Sequence, residues 1–305
     1  ARAEAARLAL DDTADIEFAR HRLAPSIDGF LLDVHACVGV LVEVARFFGV
    51  EARQPDNVAE EELWADSVYR LDLFDNGKQL GVVYLDLEMR QGKIGGAACF
   101  TLRGGCALAS ADPPLTAFNA VEDEAVWGVT STAAANRQLA TVALVCSFSS
   151  TGKLTHTDLE TLLHEWGHVL HSLLSQTTSQ HLSGTRGATD VVELASTLLE
   201  QYAWHLPLEK APLDQLRRAK DATAALETQH QLKLAIFDQV LHGNRHVQAL
   251  ATNNLEGFVA PAAEVAAALG GSDDGAHDFV KLAHLVNGPA TYYVSHPFVL
   301  RRIVK

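Results

Sequence analysis

The segment HEWGH, residues 164–168, combines two histidines and a glutamate at a spacing that suits metal-dependent hydrolysis. Positions four residues apart on a helix lie one turn apart on the same face, so His164 and His168 can bind one ion. Glu165 lies beside that pair, where its carboxylate can take a proton from an attacking water molecule. This H-E-x-x-H arrangement is typical of zinc-dependent hydrolases. The alternative is a solvated helix face on which the motif arose by chance.

The segment around the motif predicts a single amphipathic helix. Apolar residues recur at intervals of three and four positions between Leu159 and Leu174. This is the period of a helix that buries one face and exposes the other. Thr157 and Glu160 have the spacing of a capping box, which predicts that the helix begins near them.

Two further polar residues, Glu160 and His171, share the face of the two motif histidines. A histidine that binds a metal usually donates its other ring N–H to a carboxylate or a carbonyl. We predict that Glu160, one turn before His164, accepts this hydrogen bond, unless the helix cap occupies its carboxylate. His171 either supports a metal ligand in the same way or makes a buried structural hydrogen bond.

A catalytic zinc site needs a third protein ligand, and Glu193 is the candidate. It lies in a second helical pattern within residues 183–204, after a glycine-containing loop. Its neighbours include Val192 and Leu194, and a glutamate among apolar side chains needs a partner such as a divalent cation. The alternative is an ordinary exposed glutamate on a helix.

Three segments resemble, in the same order, the thimet oligopeptidase family of zinc peptidases. They are HEWGHVLH, SGTRGATDVVELAS and HLVNGPATYY, the last at residues 284–293. Glu193 follows His168 by 25 residues. Residues 81–105 also resemble the strand region that precedes the zinc helix in this family. Within the family, QHLSGTRGATD is most similar to the mitochondrial intermediate peptidases, the branch that trims imported precursors.

The resemblance implies a zinc metalloendopeptidase with one Zn²⁺ per chain. His164, His168 and Glu193 would bind the ion, and Glu165 would serve as the catalytic base. The substrates would be short or unfolded peptides, including the N-terminal leader peptides of imported mitochondrial precursors. This activity implies an intracellular protein of the mitochondrial matrix, with the cytoplasm as the alternative location.

The same resemblance assigns substrate binding to the segment after residue 283, where the chain departs from the family pattern. His284, Tyr292 and Tyr293 match. The family has one tyrosine where this chain has Gly288 and another where it has Ser295. Loss of one donor to an oxyanion typically lowers the rate by about 10²–10³-fold. Two functions therefore remain open: an active peptidase, or a zinc-binding relative with weakened catalysis that only binds peptides.

The expected fold is a mainly α-helical, zincin-like metallopeptidase catalytic domain over residues 1–305. Alternating apolar and polar residues at about 67–104 and 137–149 predict a small antiparallel β-sheet that borders the active-site cleft. The D-N-G sequence at residues 75–77 predicts a tight hairpin turn, and residues 51–66 are predicted to be an acidic connector.

Two expectations concern the edges of this domain. The strand at 137–149 precedes the motif helix, and its backbone could pair with an extended peptide. Members of the family also carry a long helical portion upstream and continue beyond the point where this chain stops. We therefore interpret the chain as the catalytic part of a longer protein.

Composition narrows the classes of partner. With 305 residues, 48% of them hydrophobic, the chain can bury a substantial core. Its net charge of −14 disfavours nucleic acid and would attract basic peptides. No apolar run reaches the roughly eighteen residues that a membrane span requires, and no segment indicates an obligate protein partner. Four widely spaced cysteines without a C-x-x-C pair argue for free thiols in a reducing compartment.

Overall fold

The computed structural model describes residues 32–93, 95–107, 137–148, 152–206 and 210–243, together with residue 252. Five positions singled out in the sequence lie outside these ranges: His284, Gly288, Tyr292, Tyr293 and Ser295. The roles expected at those positions stay predictions.

The strands are β1 (Leu32–Asp33), β2 (Val50–Arg53), β3 (Tyr69–Asp75), β4 (Lys78–Glu88), β5 (Ala97–Arg103), β6 (Cys106–Ala107), β7 (Arg137–Gln138), β8 (Ala140–Phe148) and β9 (Lys153–Leu154). The α-helices are α1 (Val34–Phe47), α2 (His156–Leu174), α3 (Thr189–Tyr202) and α4 (Lys210–Leu241). Short 3-10 helices span Glu60–Glu62 and Gln180–Leu182.

Backbone contacts divide the chain into two compact units. One comprises residues 31–187 and 195–203 and contains all the described strands. The other comprises residues 1–30, 188–194 and 204–305.

The described part of the second unit is mainly helix α4. Just before it, the Trp204 ring lies under two cations of α4, with its centroid 5.6 Å from the Arg217 guanidinium carbon and 5.0 Å from Lys220 Nζ. Arg217 also donates a hydrogen bond to the Trp204 carbonyl at 3.2 Å. These contacts fasten the segment before α4 to the first half of that helix.

Five strands of the first unit form one sheet in the order β2-β3-β4-β8-β5. β4 and β8 are parallel, whereas the other neighbouring pairs are antiparallel. The predicted antiparallel sheet is therefore wrong in this respect, because the sheet is mixed. Alternation of apolar and polar residues identifies a strand but carries no information about the direction of its neighbour. Strand β2 also adds to the sheet a segment that was predicted to lie mostly in a connector.

The turn between β3 and β4 is the one the sequence predicts. Asp75 pairs with Lys78, which leaves Asn76 and Gly77 as a two-residue loop. Both residues have positive φ, 48° and 78°. Such angles suit a turn whose twist matches that of the flanking strands, and Asn-Gly adopts them at little cost.

Helix α2 covers one face of this sheet, with contacts to β4, β5 and β8. Its apolar stripe is buried, as the spacing predicts, and consists of Leu159, Leu162, Leu163, Trp166, Val169, Leu170 and Leu173. Leu174, at the end of the helix, is exposed. Burial of each large apolar side chain contributes about 1.5–3 kcal/mol before entropy is counted. This packing fixes the direction in which the opposite face of α2 points.

Helix α2 begins slightly earlier than the sequence spacing suggests. The N-cap is Thr155, whose hydroxyl accepts a hydrogen bond from the Asp158 N–H, while the Asp158 carboxylate accepts one from the Thr155 N–H. The predicted capping box of Thr157 and Glu160 is therefore wrong. Aspartate at the third helical position serves here in place of the more usual glutamate.

None of the helices in the described ranges combines the length and the apolar character needed to span a membrane.

Candidate metal centre

Helix α2 presents two histidines that face each other. The Nε2 atoms of His164 and His168 lie 3.2 Å apart, and the ring centroids are 4.9 Å apart with the planes at 82°. Both side chains are half-buried. The helical spacing of four residues, together with the buried stripe behind it, turns the two rings towards one point.

Helix α3 brings Glu193 to the same point. One ligand atom from each of His164, His168 and Glu193 can be chosen so that all three lie within 4.8 Å of one another. Glu193 is only 3% exposed. The three residues singled out in the sequence thus form one cluster of two imidazoles and a carboxylate, although Glu193 follows His168 by 25 positions.

A glycine makes this close approach of the two helices possible. A Cβ atom placed on Gly167 of α2 would lie 2.5 Å from the Ser196 Cα and 2.7 Å from the Ser196 nitrogen of α3. The two backbones are therefore in direct contact at this level. Ser196 is three residues after Glu193 and four before Glu200, so this contact lies between the two glutamates of α3.

Glu200 is a residue of the site that the sequence analysis did not assign. Its Oε1 lies 2.5 Å from His164 Nδ1. Because a carboxylate only accepts, Nδ1 carries the proton and His164 directs an Nε2 lone pair towards His168. The available signal was spacing: Glu200 follows Glu193 by seven residues, two turns along the same face of a helix.

Glu165, the remaining residue of the H-E-x-x-H motif on α2, is 8% exposed. Burial raises the pKa of the Cys99 thiol on β5, and the negative charge of Glu165 raises it further. The same two causes raise the pKa of Cys146 on β8. Helix α2, which carries Glu165, packs on β5 and β8, and the metal-binding cluster consists of His164, His168 and Glu193 without Glu165.

A family comparison decides where the chain belongs. Residues 30–296 match the family described as "Peptidase family M3". The chain is a member of peptidase family M3. The family predicted from the sequence motifs is thereby confirmed.

Several curated proteins are similar to this M3 family member. The mitochondrial intermediate peptidase of Arabidopsis thaliana is 35% identical over 278 residues, which cover 84% of this chain and 35% of the relative. Mitochondrial intermediate peptidase 1 of Cryptococcus neoformans is 35% identical over 260 residues, 74% of this chain and 33% of the relative. The mitochondrial intermediate peptidase of Candida glabrata is 35% identical over 227 residues, which cover 65% of this chain and 28% of the relative. The chain thus spans about a third of the length of the curated relatives that it matches.

The remaining two predicted residues of this M3 chain lie near the cluster on α2. Glu160 Oε2 is 3.8 Å from His156 Nδ1. His171 Nδ1 is buried, and within the described residues it has no hydrogen-bond partner. Burial lowers the pKa of His171, and the neighbouring His168 lowers it further. The carboxylate at His164 Nδ1 is that of Glu200 and not that of Glu160. The supporting roles expected for Glu160 and His171 stay predictions.

Proposed function

We propose that this chain is the catalytic part of a zinc-dependent metalloendopeptidase that hydrolyses short or unfolded peptides in the mitochondrial matrix. The leader peptides of imported precursors are the proposed natural substrates, as the resemblance to mitochondrial intermediate peptidases implies. Residues 1–305 would form one mainly helical catalytic domain. The cluster of His164, His168 and Glu193 is the observation that carries this proposal.

The residues present fit a zinc ion. Two imidazole nitrogens and one carboxylate oxygen form a donor set typical of catalytic zinc sites. The 3.2 Å between the two Nε2 atoms suits a ring-to-ring hydrogen bond. It also suits the edge of a tetrahedral site, which is about 3.3–3.4 Å for bonds of about 2.0–2.1 Å. The contact from Glu200 to His164 Nδ1 favours the second interpretation, because ligating histidines usually donate their other N–H to a carboxylate.

The chemistry divides between the ion and the protein. When bound, zinc would lower the pKa of a water molecule to about 7 and polarise the scissile carbonyl. Glu165 would accept the proton of the attacking water and pass it to the departing amine. Its place on α2, with the buried stripe packed on the sheet, holds its carboxylate in one position beside the cluster.

The peptide would bind along β5. The strand at 137–149 was predicted to offer its backbone to the substrate, but this is wrong because β8 already has β4 on one side and β5 on the other. Among the described strands of this sheet, β5 forms one edge, and α2, the helix that carries Glu165, packs against it. An extended peptide can add to such an edge through main-chain hydrogen bonds. This would favour extended peptides over folded proteins, and the net charge of −14 would favour basic ones.

A second candidate function is peptide binding with weakened catalysis. It is supported by Gly288 and Ser295, which stand where the family pattern has tyrosines. The two candidates share the metal cluster, so metal content does not separate them. Turnover of a peptide does.

The proposed activity predicts about one zinc per chain in the purified protein and cleavage of a quenched leader peptide that a chelator abolishes. Metal analysis and fluorescence assays, with and without chelator, make the test. His168→Ala removes one of three ligands and should contain no zinc. Equal zinc in this variant and in the wild type would exclude the site, and zinc without cleavage would favour the binding function.

Glu200→Gln tests the support given to His164. The amide keeps the size of the side chain but carries no charge, so it holds the Nδ1 proton less firmly. We expect zinc affinity to fall by about 10–100-fold. Glu43→Gln is the matched control, because Glu43 is exposed on α1 and pairs with Arg46 at the surface. Equal zinc affinity in Glu200→Gln and Glu43→Gln would remove Glu200 from the site.

A further inference from the structure

The connection between β4 and β5 passes the end of β8, the strand that separates them. Residues 89–96 form it. Met89 donates its N–H to the Phe148 carbonyl at 3.0 Å, and Gly96 accepts from the Ser147 N–H at 2.8 Å. The connection is thus hydrogen-bonded to the end of β8 from the β4 side and from the β5 side.

A buried lysine fills the space inside this connection. Lys93 is 4% exposed, and its Nζ donates to Asp86 Oδ1 at 2.7 Å. It also donates to the carbonyls of Asp86 and Glu88, each at 2.9 Å, and to the carbonyl of Cys146. One ammonium group therefore binds the ends of both β4 and β8.

Asp86, the partner of Lys93, is 1% exposed and accepts from two other side chains. Arg90 donates to both carboxylate oxygens, at 2.5 and 2.7 Å, and Trp64 Nε1 donates to Oδ2 at 2.8 Å. Burial alone would raise the pKa of Asp86, but these hydrogen bonds and that of Lys93 outweigh it and hold the pKa at about 2. The carboxylate is therefore charged at neutral pH, and we call these four side chains the Asp86 clamp.

The Asp86 clamp lies at the first residue of β5. Ala97, the first residue of β5, pairs with Cys146, whose carbonyl accepts from Lys93. Helix α2, which carries Glu165, packs on β4, β5 and β8. The clamp thus fixes the start of the edge strand on which the helix of Glu165 packs.

A buried ion pair gives little net stability, because desolvation of two charges offsets most of their attraction. Well-packed apolar side chains would support the same fold about as well. The charged pair instead fixes geometry, since the three donors of an ammonium group hold several acceptors in one arrangement.

We propose that Lys93 is a positioning residue for substrate. By binding the ends of β4 and β8, it holds the first residues of β5 where their backbone can pair with a peptide beside Glu165. The inference rests on the proposed peptidase function, and it adds a residue that does not touch the substrate.

The test is Lys93→Met, which removes the charge and keeps most of the length. For an extended quenched peptide we expect KM to rise about tenfold, because loss of one to two backbone hydrogen bonds weakens binding by about that factor. We expect kcat to change less than threefold and zinc content to stay at the wild-type level. Lys78→Met is the matched control, because Lys78 is an exposed lysine at the opposite end of β4 and should leave KM unchanged.

Peptides methylated at one backbone nitrogen at a time separate positioning from general damage. In the wild type, methylation at the position that pairs with β5 should raise KM several-fold, because the ladder hydrogen bond is lost. In Lys93→Met this penalty should nearly vanish, since the pairing is already loose. An unchanged KM, or a methylation penalty as large as in the wild type, would overturn the proposal.

Two further measurements keep the result interpretable. If Lys93→Met fails to fold, Arg90→Met serves instead. It removes another donor to the Asp86 carboxylate at a side chain that is itself 35% exposed, and it should also raise KM. Peptide affinity measured by fluorescence anisotropy needs no turnover. If the wild-type protein binds the peptide but does not cleave it, the peptidase function is contradicted, and the affinities of wild type and Lys93→Met still decide the role of Lys93. If the wild type neither binds nor cleaves the peptide, both the peptidase function and the proposal for Lys93 are overturned.

Discussion

Replacement of Glu165 with glutamine should lower turnover by about 10²–10⁴-fold, the usual contribution of a general base. The amide matches the carboxylate in size and helix propensity but cannot accept a proton from water. Because Glu165 lies beside the cluster of His164, His168 and Glu193 and not in it, zinc should remain at about one per chain. The KM for peptide should change little, since the lost interaction belongs to the transition state.

Single-turnover rates and metal analysis on the same preparation measure both effects. Glu165→Asp adds a useful comparison, because it keeps the acid but withdraws it by one methylene, and its rate should lie between those of the wild type and Glu165→Gln. If Glu165→Gln lost zinc in proportion to activity, Glu165 would be a ligand. If it kept full turnover, the base would be another residue.

Gly167→Ala should damage the site without touching any proposed ligand. The added methyl group would lie 2.5 Å from the Ser196 Cα, and the contact is with backbone, which cannot rotate away. Helices α2 and α3 must separate, which costs about 1–3 kcal/mol or more of stability. The same separation moves Glu193 and Glu200 away from the histidines. We expect zinc affinity to fall by at least about 100-fold, because the proposed ligand Glu193 and the histidine partner Glu200 are displaced together.

Gly39→Ala is the matched control for this substitution. Gly39 lies inside α1, and a Cβ there would meet nothing within 4 Å. Alanine should therefore stabilise the protein by about 0.5–1 kcal/mol through helix propensity. Thermal unfolding and zinc titration of both variants make the comparison. Wild-type zinc affinity in Gly167→Ala would mean that the helices have room to adjust and that their close contact does not set the site.

The metal cluster was predictable because its information is local. His164 and His168 are one helical turn apart in the sequence, and the helix forms wherever the apolar stripe of α2 can be buried. Its apolar neighbours made Glu193 a candidate, and the family resemblance then assigned it as a ligand, since spacing alone does not say which face of α3 turns to α2. Glu200 was missed for the same reason, because its partner is 36 positions away. The contact between the two helices also depends on Gly167, and nothing in the motif indicates that this glycine packs against another helix.

The sheet was less predictable, because strand neighbours are set by long-range packing. Alternation located β3, β4, β5 and β8 but not their order. The strand just before α2 was therefore given the role of peptide partner, while the structure puts β8 inside the sheet and β5 at its edge. The buried charge of Lys93 and Asp86 also has no sequence signature, since lysine and aspartate around a turn are usually solvated.

The position of β8 bears on the order of folding. It lies between β4 and β5, although it follows both in the chain and is separated from β5 by more than thirty residues. During synthesis β4 and β5 emerge together, yet they must leave a strand-wide gap until residues 140–148 leave the ribosome. The sheet closes only when strands that are far apart in the sequence meet, and such long-range pairing makes the closing step slow. Until then two unpaired strand edges face each other, a state prone to wrong pairing and one that chaperones would protect.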